Sequence, residues 1–316
     1  MLIRGAALAC QECDMLDFSN WLSGEKISVI DIGARLTPGE APIYENLIKH
    51  DICNVTAVEP DSSTNHLLKK LPNARIYNLT LGTKGYSYLN ICKLPSCSSL
   101  LIPNIEIVSR YSGMEYFYKT KDRISVHVDE MDDIFQDDHF DFLSIDVQGA
   151  ELDVLQHGKR NLSNLLGVHI EVSFIEKYKG QPLFRDVDTF LSNNKFAFHC
   201  FTGYGTRSPR GIEINNSPIN GINQWLWADA FYFHDLNDKT FWKEPGKLIK
   251  LACIFHDLYK SYDFSAHCLK IHDQLFGSTH FPEYSLLISN STNTTIKSST
   301  EENTYLAKLA QQINYN

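Results

Sequence analysis

Three short segments of this 316-residue chain place a carboxylate where it can meet a ligand. In the first, the apolar run Ile27–Ile32 contains Asp31 and is followed by Gly33. A dinucleotide site needs G-x-G-x-x-G at such a place, so that backbone amides can approach a pyrophosphate. Here Gly33 is followed only by Gly39, which disfavours a nicotinamide-dependent oxidoreductase. An acid two residues before the glycine suits a cationic amino-acid moiety, held directly or through water. S-adenosylmethionine has that character: it carries an ammonium and a sulfonium and no phosphate. In the second segment, Ala57-Val-Glu59-Pro60, the acid is placed to accept hydrogen bonds from vicinal ribose hydroxyls. In the third, Asp146 ends the run Asp141-Phe-Leu-Ser-Ile-Asp146, Gly149 admits a tight turn, and Glu151 falls in a first helical turn where the dipole favours a carboxylate.

A carboxylate at such a strand end can also serve as a general base toward a bound ligand. Asp146 is the candidate base, with Glu171 at the end of the next apolar run as a second catalytic candidate and His169 in reserve. Asp146 and Glu171 are also a metal-binding pair in principle, but no third ligand stands out, so no metal is expected. Acceptor-binding candidates are Tyr178 and Gln181 in one loop and Arg207 and Arg210 in a glycine-rich segment, where two guanidinium groups suit an acidic or phosphorylated acceptor. Trp225 and Trp227 are candidates to stack on a sugar ring.

These residues need a scaffold of strands ending side by side. Short apolar runs at 27–32, 54–59, 74–79, 141–146, 166–174, 196–201 and 229–233 alternate with helical spacing at 38–50, 60–71, 149–158 and 186–193. That alternation predicts an α/β fold, a mostly parallel sheet with helices on both faces, and ligands beyond the carboxyl ends of its strands. Residues 1–26 read as an N-terminal helical segment, 27–235 as the main domain, and 236–288 as a helical appendage with Gly277 closing a helix. Residues 289–316 read as a polar linker and a short terminal helix from Glu301, the C-terminal helices being a candidate homodimer contact.

Composition narrows the function classes. Twenty-nine basic against 38 acidic residues give a net charge of −9, which argues against nucleic-acid binding. No run approaches the roughly 18 apolar residues of a membrane span, and the N-terminal apolar stretch is too short for a signal peptide. Eight scattered cysteines, with Cys10-x-x-Cys13 lacking a second pair, fit thiols in a reducing cytoplasmic setting.

The run Asp141-Phe-Leu-Ser-Ile-Asp-Val-Gln-Gly-Ala-Glu-Leu-Asp-Val-Leu155 resembles the FkbM-type S-adenosylmethionine-dependent methyltransferases. Leu81-Gly82, Ser98-Ser-Leu-Leu101, Ser125-Val-His-Val128 with Asp132, Ile170-Glu-Val-Ser-Phe174 and Gly180-Gln-Pro-Leu-Phe184 support the resemblance in the same order, over about Val29 to His234. It implies a class I, Rossmann-like methyltransferase sheet of seven strands with the last antiparallel. It also implies S-adenosylmethionine as cofactor and O-methylation of a sugar, glycan or other small molecule. The implied cofactor contacts are Asp31, Gly33, Arg35, Glu59, Pro60, Leu81, Asp146 and Gln148. Arg35 and Thr37 stand where the family usually has Asn and Gly. That departure is the one hint toward the alternative, a non-catalytic methyltransferase-like scaffold or binding module.

Overall fold

The computed structural model describes residues 3–4, 18–37, 39, 41–217, 219–292 and 294–298. Its strands are β1 (Ile3–Arg4), β2 (Ile27–Ile32), β3 (Cys53–Val58), β4 (Arg75–Tyr77), β5 (Thr80–Leu81), β6 (Gly85–Cys92), β7 (Thr120–Asp129), β8 (Phe142–Ile145), β9 (Gly167–Ser173), β10 (Phe196–Thr206) and β11 (Trp225–His234). The main sheet runs β1-β10-β11-β9-β8-β2-β3-β4, and a small one runs β5-β7-β6. β2 is parallel to β3 and β8, β3 to β4, and β8 to β9. β11 is antiparallel to β9 and β10, and β1 is antiparallel to β10. The sheet is thus mostly parallel and has the seven expected strands, with the two-residue β1 added at one edge.

The central strands read as unbroken apolar runs because both faces are covered. Side chains alternate between two cores. Ile30, Ile32, Val58, Leu143, Ile145, Val168 and Ile170 pack into one. Val29, Val55, Phe142 and Phe231 pack into the other, together with Leu248, Leu251, Phe255 and Leu269 from the C-terminal helices.

Those helices, Pro245–Tyr259, Tyr262–Phe276 and His280–Ser291, are therefore the cover of one sheet face and share its core. The ring of Tyr259 stacks on Phe231 with centroids 3.7 Å apart. An apolar stripe shows that a helix buries a face but not against what, which is why the sequence suggested an appendage. Gly277 does close the second helix, at φ +73°.

Other expectations need correction. In the N-terminal segment, Ile3 and Arg4 pair with Tyr204 and Gly203 as a strand, and among the described residues the helix is one turn, Ser19–Leu22. The helix expected at 38–50 is confined to Glu45–Lys49. The linker expected from residue 289 is still helical to Ser291. β10 runs five residues past the expected end, through Gly203 and Gly205, and β11 begins four residues early. The terminal helix from Glu301 and the Cys10–Cys13 pair lie outside the described residues. None of the six described cysteines forms a disulfide, and no described helix is long and apolar enough to cross a membrane.

Candidate active site

The face shared with the C-terminal helices changes character along the strands. Its lower half is apolar. Toward the carboxyl edge the same alternation brings up Asp31, Ser144, Glu171 and Ser173, with Asp229 of β11 directly opposite Glu171. Asp146 follows β8 and is open to solvent, while Asp31 and Glu171 are each 8% exposed and Glu59 is 5% exposed. The predicted carboxylates thus line one edge of one sheet.

Each is held differently. The Tyr44 hydroxyl donates to Asp31 Oδ2 at 2.8 Å. Burial nevertheless pushes the Asp31 carboxyl up to about 6, with Tyr44 and Ser144 opposing the shift. Glu59 accepts from the Asp61 backbone N–H at 2.9 Å, and burial raises its pKa. Arg35 Nη1 lies 3.0 Å from Asp61 and 4.0 Å from Glu59. Arg35, expected at the ligand, thus ties the loop after β2 to the loop after β3 and steadies the Glu59 carboxylate.

Gly33 has a structural reason of its own. It sits at φ +82°, and a Cβ there would run into the Asp146 carbonyl oxygen. The glycine lets the loops after β2 and β8 touch. Pro60 is exposed, and Leu81 is packed in the core beside Val58 and Ile145.

Asp146 is the most elaborately positioned acid. Gln148 Nε2 donates to its Oδ1 at 2.6 Å. Gln148 itself adopts φ +57°, a region unfavourable for a residue with a side chain. It is fixed there by the Tyr178 hydroxyl, whose one proton is shared between the Gln148 Oε1 at 3.0 Å and the Cys97 carbonyl at 2.9 Å, and by Ser99, whose hydroxyl donates to the Gln148 carbonyl at 2.7 Å. Below this turn the Glu151 carboxylate accepts from the backbone N–H groups of Val147 and Gly149, at 3.1 and 2.9 Å. Crowding by protein, then the Glu171, Glu151 and Asp229 carboxylates, raise the Asp146 pKa well above the ordinary range. Burial and Glu171 push Glu151 up to about 7.

Glu171 has a partner that sequence reasoning missed. Lys177, 1% exposed, donates from Nζ to Glu171 Oε1 at 2.6 Å. Burial works against the Lys177 charge, but Glu171, Tyr118 and Asp146 outweigh it and hold its pKa above the usual value. Glu171 is therefore committed to a buried ion pair, which leaves Asp146 as the open carboxylate. The sequence signal was slight: a lysine six residues past the acid, in what reads as a solvated loop.

The acceptor candidates separate as well. Tyr178 is fully buried, and Gln181 bridges the Tyr178 backbone N–H at 3.2 Å and the Ser173 hydroxyl at 2.9 Å, so both brace the loop. Arg210 is exposed and pairs with Glu115 at 3.1 Å. His169 meets the Tyr259 hydroxyl at 3.2 Å on the inner part of the face. Trp225 stacks on Tyr204 with centroids 4.5 Å apart.

A cavity of about 850 Å³ lies elsewhere, lined by Trp21, Asp141 and Lys250 near the start of β2. Its lysines are already engaged: Lys250 with Asp141, Lys247 with Glu244, and Lys26 with Asp51. The carboxylate-lined edge is the chemically richer place. Among the described residues, no three His, Cys, Asp or Glu side chains converge as a metal site.

The raised acids predict a pH dependence. A carboxyl with a higher pKa in the folded chain than the unfolded value near 4 binds its proton more tightly when folded. Its contribution to stability is complete below about pH 4 and is lost as pH rises through the folded value, about 6 for Asp31. Two pKa units correspond to roughly 3 kcal/mol. Asp31→Asn should therefore gain stability relative to the unaltered chain as pH rises from 5 to 7.5. Calorimetric melting of both chains across this range checks this; a difference between them that does not change with pH would contradict the assignment.

In an open α/β sheet ligands bind beyond the carboxyl ends of the strands, and here that edge carries acids beside a glycine-opened turn. The methyltransferase FkbM domain model matches residues 31–198, more than half of the chain, and the chain belongs to that family. A presumed methyltransferase from Thermoplasma acidophilum is 10% identical, with a TM-score of 0.31 over 67% of this chain and 70% of its own. An uncharacterized protein from Listeria monocytogenes serotype 4b is 9% identical, with a TM-score of 0.33 over 91% and 98%. Superpositions that loose bear on neither fold nor function. No curated protein is significantly similar in sequence.

Proposed function

We propose that this protein is an S-adenosylmethionine-dependent methyltransferase acting on a hydroxyl of a sugar, glycan or other small molecule. One observation carries the reading: Asp31, Glu59, Asp146, Glu171 and Asp229 gather at one sheet edge, with the buried Lys177 paired to Glu171. Several of these acids have raised pKa values, so the edge suits a cationic ligand. The strand order, with β11 antiparallel beside β9, supports a class I, Rossmann-like architecture.

When bound, S-adenosylmethionine supplies a methyl group on a positively charged sulfur. Glu59 keeps Oε2 for the ribose hydroxyls while Oε1 is occupied by Asp61 N–H. Asp31 faces the amino-acid end and attracts its ammonium once ionised, so donor affinity rises with pH through about 6. Asp146 would take the proton from an acceptor hydroxyl held beside it. A base with an elevated pKa suits this transfer near neutrality. Gln148 and Tyr178 keep the carboxylate aimed.

Glu59→Ala should weaken donor binding by about 1–3 kcal/mol, because a charged acceptor of two hydrogen bonds is removed. Calorimetry reads this directly, and unchanged affinity would count against the ribose assignment. The reaction itself is tested with methyl-tritiated donor and a panel of hydroxyl-bearing sugars. Label should pass to an acceptor with one S-adenosylhomocysteine released per methyl. Donor binding without transfer to any hydroxyl would favour the scaffold alternative.

A further inference from the structure

We propose that Arg207, laid against Trp227, forms an anion-binding subsite, so that the acceptor is an acidic molecule carrying a carboxylate or phosphate; this rests on the methyl-transfer reading above. Trp227 is opposite Ser173 on β9 and opposite Gly205 on β10. Gly205 is the reason the ring can lie as it does, since a Cβ there would collide with the indole. Arg207 follows the last residue of β10, past a break in register between Gly205 and Thr206, and its guanidinium carbon is 5.2 Å from the ring centroid. Lys177 Nζ is 5.1 Å from the same centroid, so the ring joins Arg207 to the Lys177–Glu171 pair beside Asp146.

The two cations differ in what they have left to offer. Lys177 is neutralised by Glu171. Arg207 spends one N–H on the carbonyl of its neighbour Thr206 at 2.7 Å. Among the described residues its Nε is buried without a hydrogen-bond partner, and no carboxylate forms an ion pair with it. Its neighbour Arg210 is already paired with Glu115, so the two arginines are not equivalent. A half-buried guanidinium beside an aromatic ring, with no carboxylate paired to it among the described residues, keeps its charge and its outer N–H donors for a carboxylate or phosphate.

The placement also sets a span. The tips of β8 and β10 are separated by β9 and β11, about 15 Å at ordinary strand spacing. Arg207 reaches back over Trp227, so the anion lies on the order of 10 Å from the hydroxyl beside Asp146, the scale of a substituted sugar.

The test is calorimetric titration of the full chain, saturated with S-adenosylhomocysteine, with glucose, glucuronate and glucose 6-phosphate. At least one charged sugar should bind tenfold or more tighter than glucose, and the carboxylate and phosphate arms identify which anion is preferred. Arg207→Gln should erase that preference, and Arg207→Lys should keep only part of it, because the two-pronged contact is lost while the charge remains. S-adenosylhomocysteine affinity, measured on the same samples, should be unchanged in both variants and shows that they are folded. Equal binding of the three sugars, binding of none, or a preference that survives Arg207→Gln would overturn the subsite. Loss of nucleoside binding by the unaltered chain would instead overturn the methyl-transfer reading.

Discussion

Asp146→Asn should lower turnover by about 100- to 10,000-fold at saturating donor, the usual worth of a positioned base. The substitution keeps the oxygen that Gln148 Nε2 contacts, so the turn held by Tyr178 and Ser99 should persist. What disappears is proton affinity. Donor affinity should fall far less than turnover, since Asp31 and Glu59 remain. The pH profile supplies a second readout. The raised Asp146 pKa gives the unaltered enzyme a rate that climbs as this carboxyl ionises, and the variant should lose that limb. Equal losses in turnover and donor affinity would make Asp146 a binding residue.

The second large effect concerns the buried pair. Lys177→Met leaves the Glu171 carboxylate, 8% exposed, without its cation. Removing one partner of a buried ion pair costs about 3–5 kcal/mol, because the remaining charge cannot be solvated. Urea unfolding should show that loss. The double variant Lys177→Met with Glu171→Gln should recover most of it, since no uncompensated charge then remains. A single variant within about 1 kcal/mol of the unaltered chain would mean that water reaches Glu171 and the pair is not a structural unit.

How much of this was legible beforehand follows from what local pattern can encode. β2, β3, β8 and β9 were readable because strands buried on both faces leave continuous apolar runs. Their carboxyl ends then pointed to Asp31, Glu59, Asp146 and Glu171. β10 and β11 were read too short because Thr202-Gly-Tyr-Gly-Thr206 has the composition of a loop. Gly205 is in fact a strand residue that makes room for Trp227, a cross-strand contact invisible in one segment.

Charge partnership was also hidden. Nothing local distinguishes Lys177, which is buried against Glu171, from Lys179 two residues on, which is exposed. Arg35 looked like a departure at the ligand site, whereas the fold uses it to join two loops through Asp61. Tyr178 and Gln181 read as acceptor contacts in the sequence, and the structure shows them hydrogen-bonded to Gln148 and Ser173. In each case residue type was informative and orientation was not, because orientation depends on which face packs against which.

Everything in this account depends on a cationic nucleoside being held by the acids at the carboxyl edge. Isothermal titration of the purified full chain with S-adenosylmethionine, and separately with NAD, tests that most directly. Saturable one-to-one binding of S-adenosylmethionine, strengthening as pH rises through about 6, is expected, with no binding of NAD. A folded, ligand-free chain that ignores S-adenosylmethionine, or that binds NAD in its place, would contradict it.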